Sequence, residues 1–202
     1  MEKTKIAVLV SGGGTNLQAL IDAQNAGVLH SGKIELVVSN KADAYALTRA
    51  QSAGIKTETV IKKNFSSASE FENKILGILD ENGIELIILA GFMSILSENF
   101  TSKYPKRILN VHPSLIPSFC GEGFYGLRVH EAALNYGVKV TGATVHYVNE
   151  ITDGGEIILQ KAVEIKDGDT PEILQKRVME EAEWLLLPRA AEIVSEKIQS
   201  EK

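Results

Sequence analysis

One cysteine, Cys120, is all that 202 residues contain, so the chain forms no internal disulfide. That fits a reducing compartment. Prolines number five, tryptophan occurs once and aromatic residues make up 6%. We find no internal repeat, low-complexity segment or linker. No apolar run is long enough to span a bilayer, and the N-terminus enters a short strand without a signal-peptide core. A cytoplasmic protein without membrane contact is expected. Positive charge is in deficit as well, with 21 Lys and Arg against 26 Asp and Glu, a net charge of −5. Nucleic-acid surfaces draw their affinity from clustered Lys and Arg, so no nucleic-acid partner is expected. A small anionic substrate needs only a local site and stays open. Neither His-Glu-x-x-His nor paired Cys-x-x-Cys occurs, so no metal is expected. A Gly-x-Ser-x-Gly elbow is absent too. Cys120 has no histidine beside it in sequence and reads as a passive thiol.

What is present is alternation. Apolar runs such as Ile6 to Val10 and Leu86 to Ala90 fit strands covered on both faces. Between them lie stretches with helical spacing: Leu17 to Ala23, Tyr45 to Ala53, and Ser69 to Glu81 with Asn82-Gly83 as its stop. This pattern predicts an α/β fold: an open, mostly parallel twisted sheet with helices on both faces. The length fits one domain. Further on, Ile108 to Asn110 reads as a strand, Pro113 to Tyr125 as a long loop and Gly126 to Tyr136 as a helix. Val138 to Val148 and Glu156 to Glu164 read as strands. Thr170 caps a last helix, with Pro171 at its first position. That helix runs to about Ser200, with Pro188 expected to interrupt or kink it.

Two places carry chemistry. The first is Ser11-Gly12-Gly13-Gly14-Thr15-Asn16, between a strand and a helix. A dinucleotide fingerprint wants a glycine where Leu17 stands and an acid after the second strand, which ends in Asn40-Lys41. A Walker loop wants Gly-Lys-Ser/Thr, also absent. Two readings remain: a cradle for a monophosphate at the helix start, or a plain tight turn.

The second is Asn110-Val111-His112-Pro113-Ser114, where a buried strand gives way to a loop. In extended chain, residues two apart share a face. Asn110 and His112 then aim an amide and an imidazole at one point, as an oxyanion site requires. A carboxylate nearby favours the protonated ring, and Asp153 in Asp153-Gly154-Gly155 is the candidate. The other three histidines, His30, His130 and His146, read as structural groups or as support for the site.

Several motifs together point further. They are the Ser11 to Leu17 loop, Ser39-Asn40-Lys41-Ala42-Asp43-Ala44, Leu89-Ala90-Gly91-Phe92-Met93, Asn110 to Phe119, Gly142-Ala143-Thr144-Val145-His146, and Asp153-Gly154-Gly155 followed by Ile158-Leu159-Gln160. Their order and spacing resemble the phosphoribosylglycinamide formyltransferases, folate-dependent enzymes of purine synthesis, from about Lys5 to Pro188. The resemblance implies the formyltransferase fold, with a Rossmann-like N-terminal half. Residues 1–105 would bind phosphate, and residues 106–202 would bind folate and hold the catalytic groups. It implies transfer of the formyl group of 10-formyltetrahydrofolate to the amine of 5′-phosphoribosylglycinamide, by a monomer or homodimer whose partners are small molecules. His112 would donate a proton, Asn110 would bind the oxyanion and Asp153 would support His112. Gly14, Thr15 and Asn16 would hold the phosphate and Glu183 the ribose. Met93, Ser94, Ile95 and Leu96, together with Asn110, Asn149, Glu150, Ile151, Thr152 and Asp153, would line the folate site.

There are departures from the family pattern. Ser94 and Ala68 stand where the family commonly has arginine, the loop from Ser118 to Gly126 is longer, and Met179 to Trp184 holds one extra residue. A hydrolase of formyltetrahydrofolate or a methionyl-tRNA formyltransferase would share the catalytic set, but each normally carries a further domain for which 202 residues leave no room. A non-catalytic phosphate-binding module would explain the glycine loop and leave Asn110, His112 and Asp153 unexplained.

Overall fold

The computed structural model describes residues 2–202. Seven strands form one sheet in the order β3-β2-β1-β4-β5-β6-β7. β1 (Thr4–Val10), β2 (Gly32–Ser39), β3 (Lys56–Thr59), β4 (Leu86–Leu89) and β5 (Ile108–His112) run parallel. β6 (Val140–Tyr147) and β7 (Ile157–Glu164) run antiparallel. Side chains alternate along β1 between two cores. Ile6, Val8 and Val10 pack with α1 (Thr15–Asn25), α2 (Tyr45–Ser52), α6 (Pro171–Val178) and α7 (Trp184–Ser200). Ala7 and Leu9 pack with α3 (Ala68–Glu81) and α4 (Glu98–Thr101). Cover on both faces is why the strands read as unbroken apolar runs.

The chain leaves β1 for β2 on one side and later returns to β4 on the other. The loops after β1 and β4 therefore diverge, and the crevice between them is where open α/β sheets bind ligands. The Met93 N–H donates to the Ser11 hydroxyl at 2.8 Å and joins the two loops.

Three features differ from the sequence reading. β5 continues to His112 because β6 pairs with it as far as His112 opposite Thr144. The histidine thus lies in a strand rather than at the start of a loop. Strand–helix alternation alone would make β6 parallel to β5. Instead residues 113–126 and α5 (Leu127–Tyr136) hold the chain at the carboxyl end of β5, so β6 starts there and runs back. Pro188 lies buried within α7 without ending it. The break in helical register falls ahead of it, in a π-helical turn at Met179–Glu183. Proline offers no N–H to the carbonyl four residues earlier, which is that of Trp184 at the end of this wide turn. Such a turn is also where a helix absorbs an extra residue.

Candidate active site

β5 and β6 carry the polar side chains of the candidate site. Directly opposed residues of an antiparallel pair share a face. Asn110 faces His146 and His112 faces Thr144, so four polar side chains meet on one side of two strands. The intervening Leu109, Val111 and Val145 point the other way, into the core. Asp153 arrives from the turn between β6 and β7. Its φ of 55° is left-handed, a conformation aspartate tolerates better than most residues. Its carboxylate sits between two rings: Oδ2 is 3.5 Å from His112 Nδ1, and Oδ1 is 3.6 Å from His146 Nε2. The Gly121 N–H donates to Oδ2 at 2.8 Å and ties in the long loop. His112 and His146 are 4% and 2% exposed, so water screens these charges little.

Hydrogen-bond partners assign the protons. His112 Nε2 is 2.8 Å from the Phe119 carbonyl while Nδ1 faces Asp153. Both nitrogens face oxygen acceptors, which the doubly protonated ring satisfies. His146 Nδ1 donates to the Tyr147 carbonyl at 2.8 Å. Its Nε2 is left to accept from Asn110 Nδ2 at 3.3 Å. That contact uses one amide hydrogen of Asn110 and leaves the second for a ligand. Burial raises the Asp153 pKa, but the Gly121 N–H and the charge of His112 act against it, and the carboxyl stays below its usual range. His130, on α5, is fully buried, and neither ring nitrogen has a partner among the described residues. Burial first, then the charge of His112, pushes its pKa down to about 4. It stays neutral and adds no second charge beside His112.

The second part of the site is the loop after β1. Gly14 holds φ 73°, and a Cβ there would lie 2.6 Å from the Ala46 side chain. Only glycine fits, and it lets α1 start hard against α2. α1 has no side-chain cap and no acid in its first turn, which leaves its N–H groups and dipole open to an anion. Asn16 Nδ2 donates to Glu183 Oε2 at 2.8 Å. Burial pushes the Glu183 carboxyl up, and the Asn16 bond only partly offsets it. Thr15 lies at the same end, its hydroxyl 4.0 Å from Met179 Sδ. β1 and β5 are separated by β4 alone, so the two parts of the site stand about 10 Å apart across the sheet. Among the described residues no three His, Cys, Asp or Glu side chains gather to hold a metal. Nor is any helix there long and apolar enough to cross a membrane.

Comparison with known proteins fits this arrangement. The sequence pattern of the formyl transferase family matches residues 4–190. The chain belongs to that family. It is 44% identical over 184 residues to a phosphoribosylglycinamide formyltransferase of Haemophilus influenzae, covering 91% of this chain and 84% of that protein. It is 45% identical over 194 residues to the human trifunctional purine biosynthetic protein adenosine-3, covering 96% of this chain. It spans only 18% of that longer protein's length. The crystal structure of glycinamide ribonucleotide transformylase 1 from Symbiobacterium toebii superposes with a TM-score of 0.90 at 39% identity, over 96% of this chain and 89% of that one.

In this formyl transferase the structure brings Asn110, His112 and Asp153 together, and it brings Gly14, Thr15 and Asn16 to Glu183. Glu183 closes the π-helical turn Met179–Glu183, and its carboxylate reaches Asn16. Met93, Ile95 and Ile151 are 57%, 72% and 61% exposed, in loops from the strands on either side of β5. Ser94 Oγ accepts from Asn40 Nδ2 at 3.1 Å. Asn149 Oδ1 accepts from the Ile151 N–H at 3.0 Å, while Glu150 and Thr152 are exposed. Leu96 differs: its side chain is 5% exposed and packs into the core with Phe100 and Ile108, so only its backbone is free to face a ligand. Two residues near the reactive face gained no role from sequence reasoning beyond general support, His146 and Thr144. The signal was there, since Gly142 to Tyr147 alternates and a strand antiparallel to β5 would set both opposite Asn110 and His112.

Proposed function

We propose that this chain transfers the formyl group of 10-formyltetrahydrofolate to the primary amine of 5′-phosphoribosylglycinamide. One observation carries the reading: a carboxylate held between two buried histidines, with an amide hydrogen of Asn110 left free beside them. As the amine attacks the formyl carbon, negative charge develops on the formyl oxygen. The free Asn110 N–H and the His112 imidazolium are the donors for that charge. The Phe119 carbonyl that now accepts from His112 Nε2 gives way to this oxygen. Overall a C–N bond forms to the amine and the C–N bond to the donor breaks. The amine loses one proton and the donor nitrogen gains one. His112 supplies a proton and Asp153, ionised, is the base that restores it. A formylated folate supplies the activated carbonyl carbon. Met93, Ser94, Ile95 and the turn from Asn149 to Asp153 would hold it, and the exposed apolar side chains of Met93, Ile95 and Ile151 suit a flat ring system. Gly14, Thr15 and Asn16 would hold the acceptor's phosphate and Glu183 its ribose. A phosphosugar with a short amide arm spans the gap of about 10 Å between β1 and β5.

The decisive experiment mixes purified protein with 10-formyltetrahydrofolate and 5′-phosphoribosylglycinamide and follows both. Formyl transfer with one donor consumed per acceptor is expected. Loss of donor without acceptor present would favour a hydrolase, and no consumption of either would end the proposal.

A further inference from the structure

The glycine loop has a feature that the reaction does not explain. Its first two carbonyls are turned toward α2. The Gly12 carbonyl accepts from the Ala46 N–H at 3.0 Å. The Gly13 carbonyl accepts from Arg49 Nε at 2.8 Å. Both peptides are trans, since among the described residues the one cis bond is Ile116-Pro117. In a trans peptide the N–H points opposite to the C=O. Fixing these two carbonyls on α2 therefore aims the N–H groups of Gly13 and Gly14 away from α2, beside the uncapped first turn of α1. Neither N–H has a partner among the described residues. Successive N–H groups on one side form an anion-binding concavity. Gly12 and Gly13 are exposed, and a Cβ at either would meet nothing within 4 Å.

Arg49 is well held for this task. Its Nη1 donates to Gln18 Oε1 at 3.0 Å, which bridges the guanidinium to α1. Its Cζ lies 5.0 Å above the Tyr45 ring. The Ala46 bond comes from main chain and persists in any sequence. The Gly13 bond depends on one side chain. Without it the Gly13–Gly14 peptide can turn, and a turned peptide would present a carbonyl where an N–H had been.

We infer that Arg49 is a positioning residue for the phosphate of the acceptor: by holding the Gly13 carbonyl it keeps the Gly14 N–H aimed at the anion. The inference rests on the reading of the loop as a phosphate seat. It assigns Arg49 an action through the peptide orientation and not chiefly through its charge.

The two actions separate by substitution. In Arg49→Gln the side-chain nitrogen stands at the same position along the chain as Arg Nε, so an N–H donor is kept and the charge is lost. Arg49→Met keeps the length and loses both. The probe is inorganic phosphate titrated into ¹⁵N-labelled protein, read at the Gly13 and Gly14 amides. The expected result is that Arg49→Gln binds phosphate within about threefold of the parent, while Arg49→Met loses on the order of tenfold and its Gly14 amide no longer responds. Equal losses in both variants would make charge the cause and overturn the inference, as would no loss in either. Should Arg49→Met fail to fold by circular dichroism, weakened binding in Arg49→Gln alone still overturns it. In turnover, Arg49→Met should raise the KM for the phosphorylated acceptor about tenfold with a much smaller change in kcat. The same variant should not change the KM for the acceptor riboside that lacks phosphate, and an equal rise there counts against the inference. If the parent protein fails to transfer formyl groups yet shows this phosphate pattern, the proposed reaction falls and the role of Arg49 stands.

Discussion

At the carboxyl end of β1 the proposed anion seat is made of main chain: the N–H groups of a glycine turn and an uncapped helix start. At the carboxyl end of β5 the proposed reactive group is made of side chains: Asn110, His112, His146 and Asp153, from two antiparallel strands and a turn. The first is contiguous in sequence, from Ser11 to Asn16. The second gathers residues spread over more than 40 positions and exists only because β6 runs back along β5 in one register. A backbone site tolerates changes of side chain that leave its φ, peptide orientation and packing in place. A side-chain site tolerates modest shifts of backbone but not loss of a single functional group.

The largest expected effect tests the side-chain half. His112→Ala removes the proposed donor to the reacting oxygen. Turnover should fall on the order of 10²-fold or more, about 2.7 kcal/mol in the barrier, with the circular dichroism spectrum kept. Turnover near that of the parent would remove His112 from the chemistry and leave the contrast between the two halves without its sharper member.

That contrast also decides how much the sequence could disclose. The parallel sheet, its helices and the glycine turn are local patterns, so Ile6 to Val10 and Ser11 to Asn16 were readable in place. Asn110 and His112 were readable as a pair because residues two apart in a strand share a face. Asp153 was named as the candidate carboxylate for His112, but nothing in the sequence could place it there. Its approach depends on a turn that folds back over β6, with Asp153 itself at φ 55°, and no periodicity encodes that. His146 was missed as a partner of Asn110 because strand–helix alternation suggested a parallel β6, and in a parallel sheet the register is different. Pro188 was expected to interrupt or kink its helix; α7 runs on through it, with a wide turn upstream.

A pair of substitutions tests the backbone half. Gly14→Ala forces a left-handed φ on alanine and places its Cβ 2.6 Å from Ala46 Cβ. Strain and overpacking together should cost about 2–4 kcal/mol in urea unfolding. Gly12→Ala meets nothing within 4 Å and has no positive φ, so its stability should change by less than about 0.5 kcal/mol. Equal stabilities for the two variants would mean that α1 and α2 do not clamp the loop at Gly14.

Glu183 crosses the division, as the one buried carboxylate in a seat otherwise built of main chain. Burial raises its pKa above the ordinary glutamate value of 4.5, and Asn16 is its one hydrogen-bond partner among the described residues. The sign follows. The folded protein keeps this proton to a higher pH than the unfolded chain does. The stability it contributes is full below 4.5 and is lost as pH rises through the folded value. In Glu183→Gln nothing titrates at this position, and the amide oxygen still accepts from Asn16. The variant should therefore match the parent near pH 4.5 and exceed it at pH 8, by on the order of 1 kcal/mol, the scale of a buried polar group incompletely paired. Urea melts at the two pH values measure this. A parent that gains on the variant as pH rises would show that the carboxylate is stabilised in place. The same substitution should raise the KM of the acceptor severalfold, because the carboxylate accepts from a ribose hydroxyl more strongly than an amide does. Stability gained where binding is lost would mark Glu183 as kept for its ligand and not for the fold, unlike the glycines beside it, which serve both.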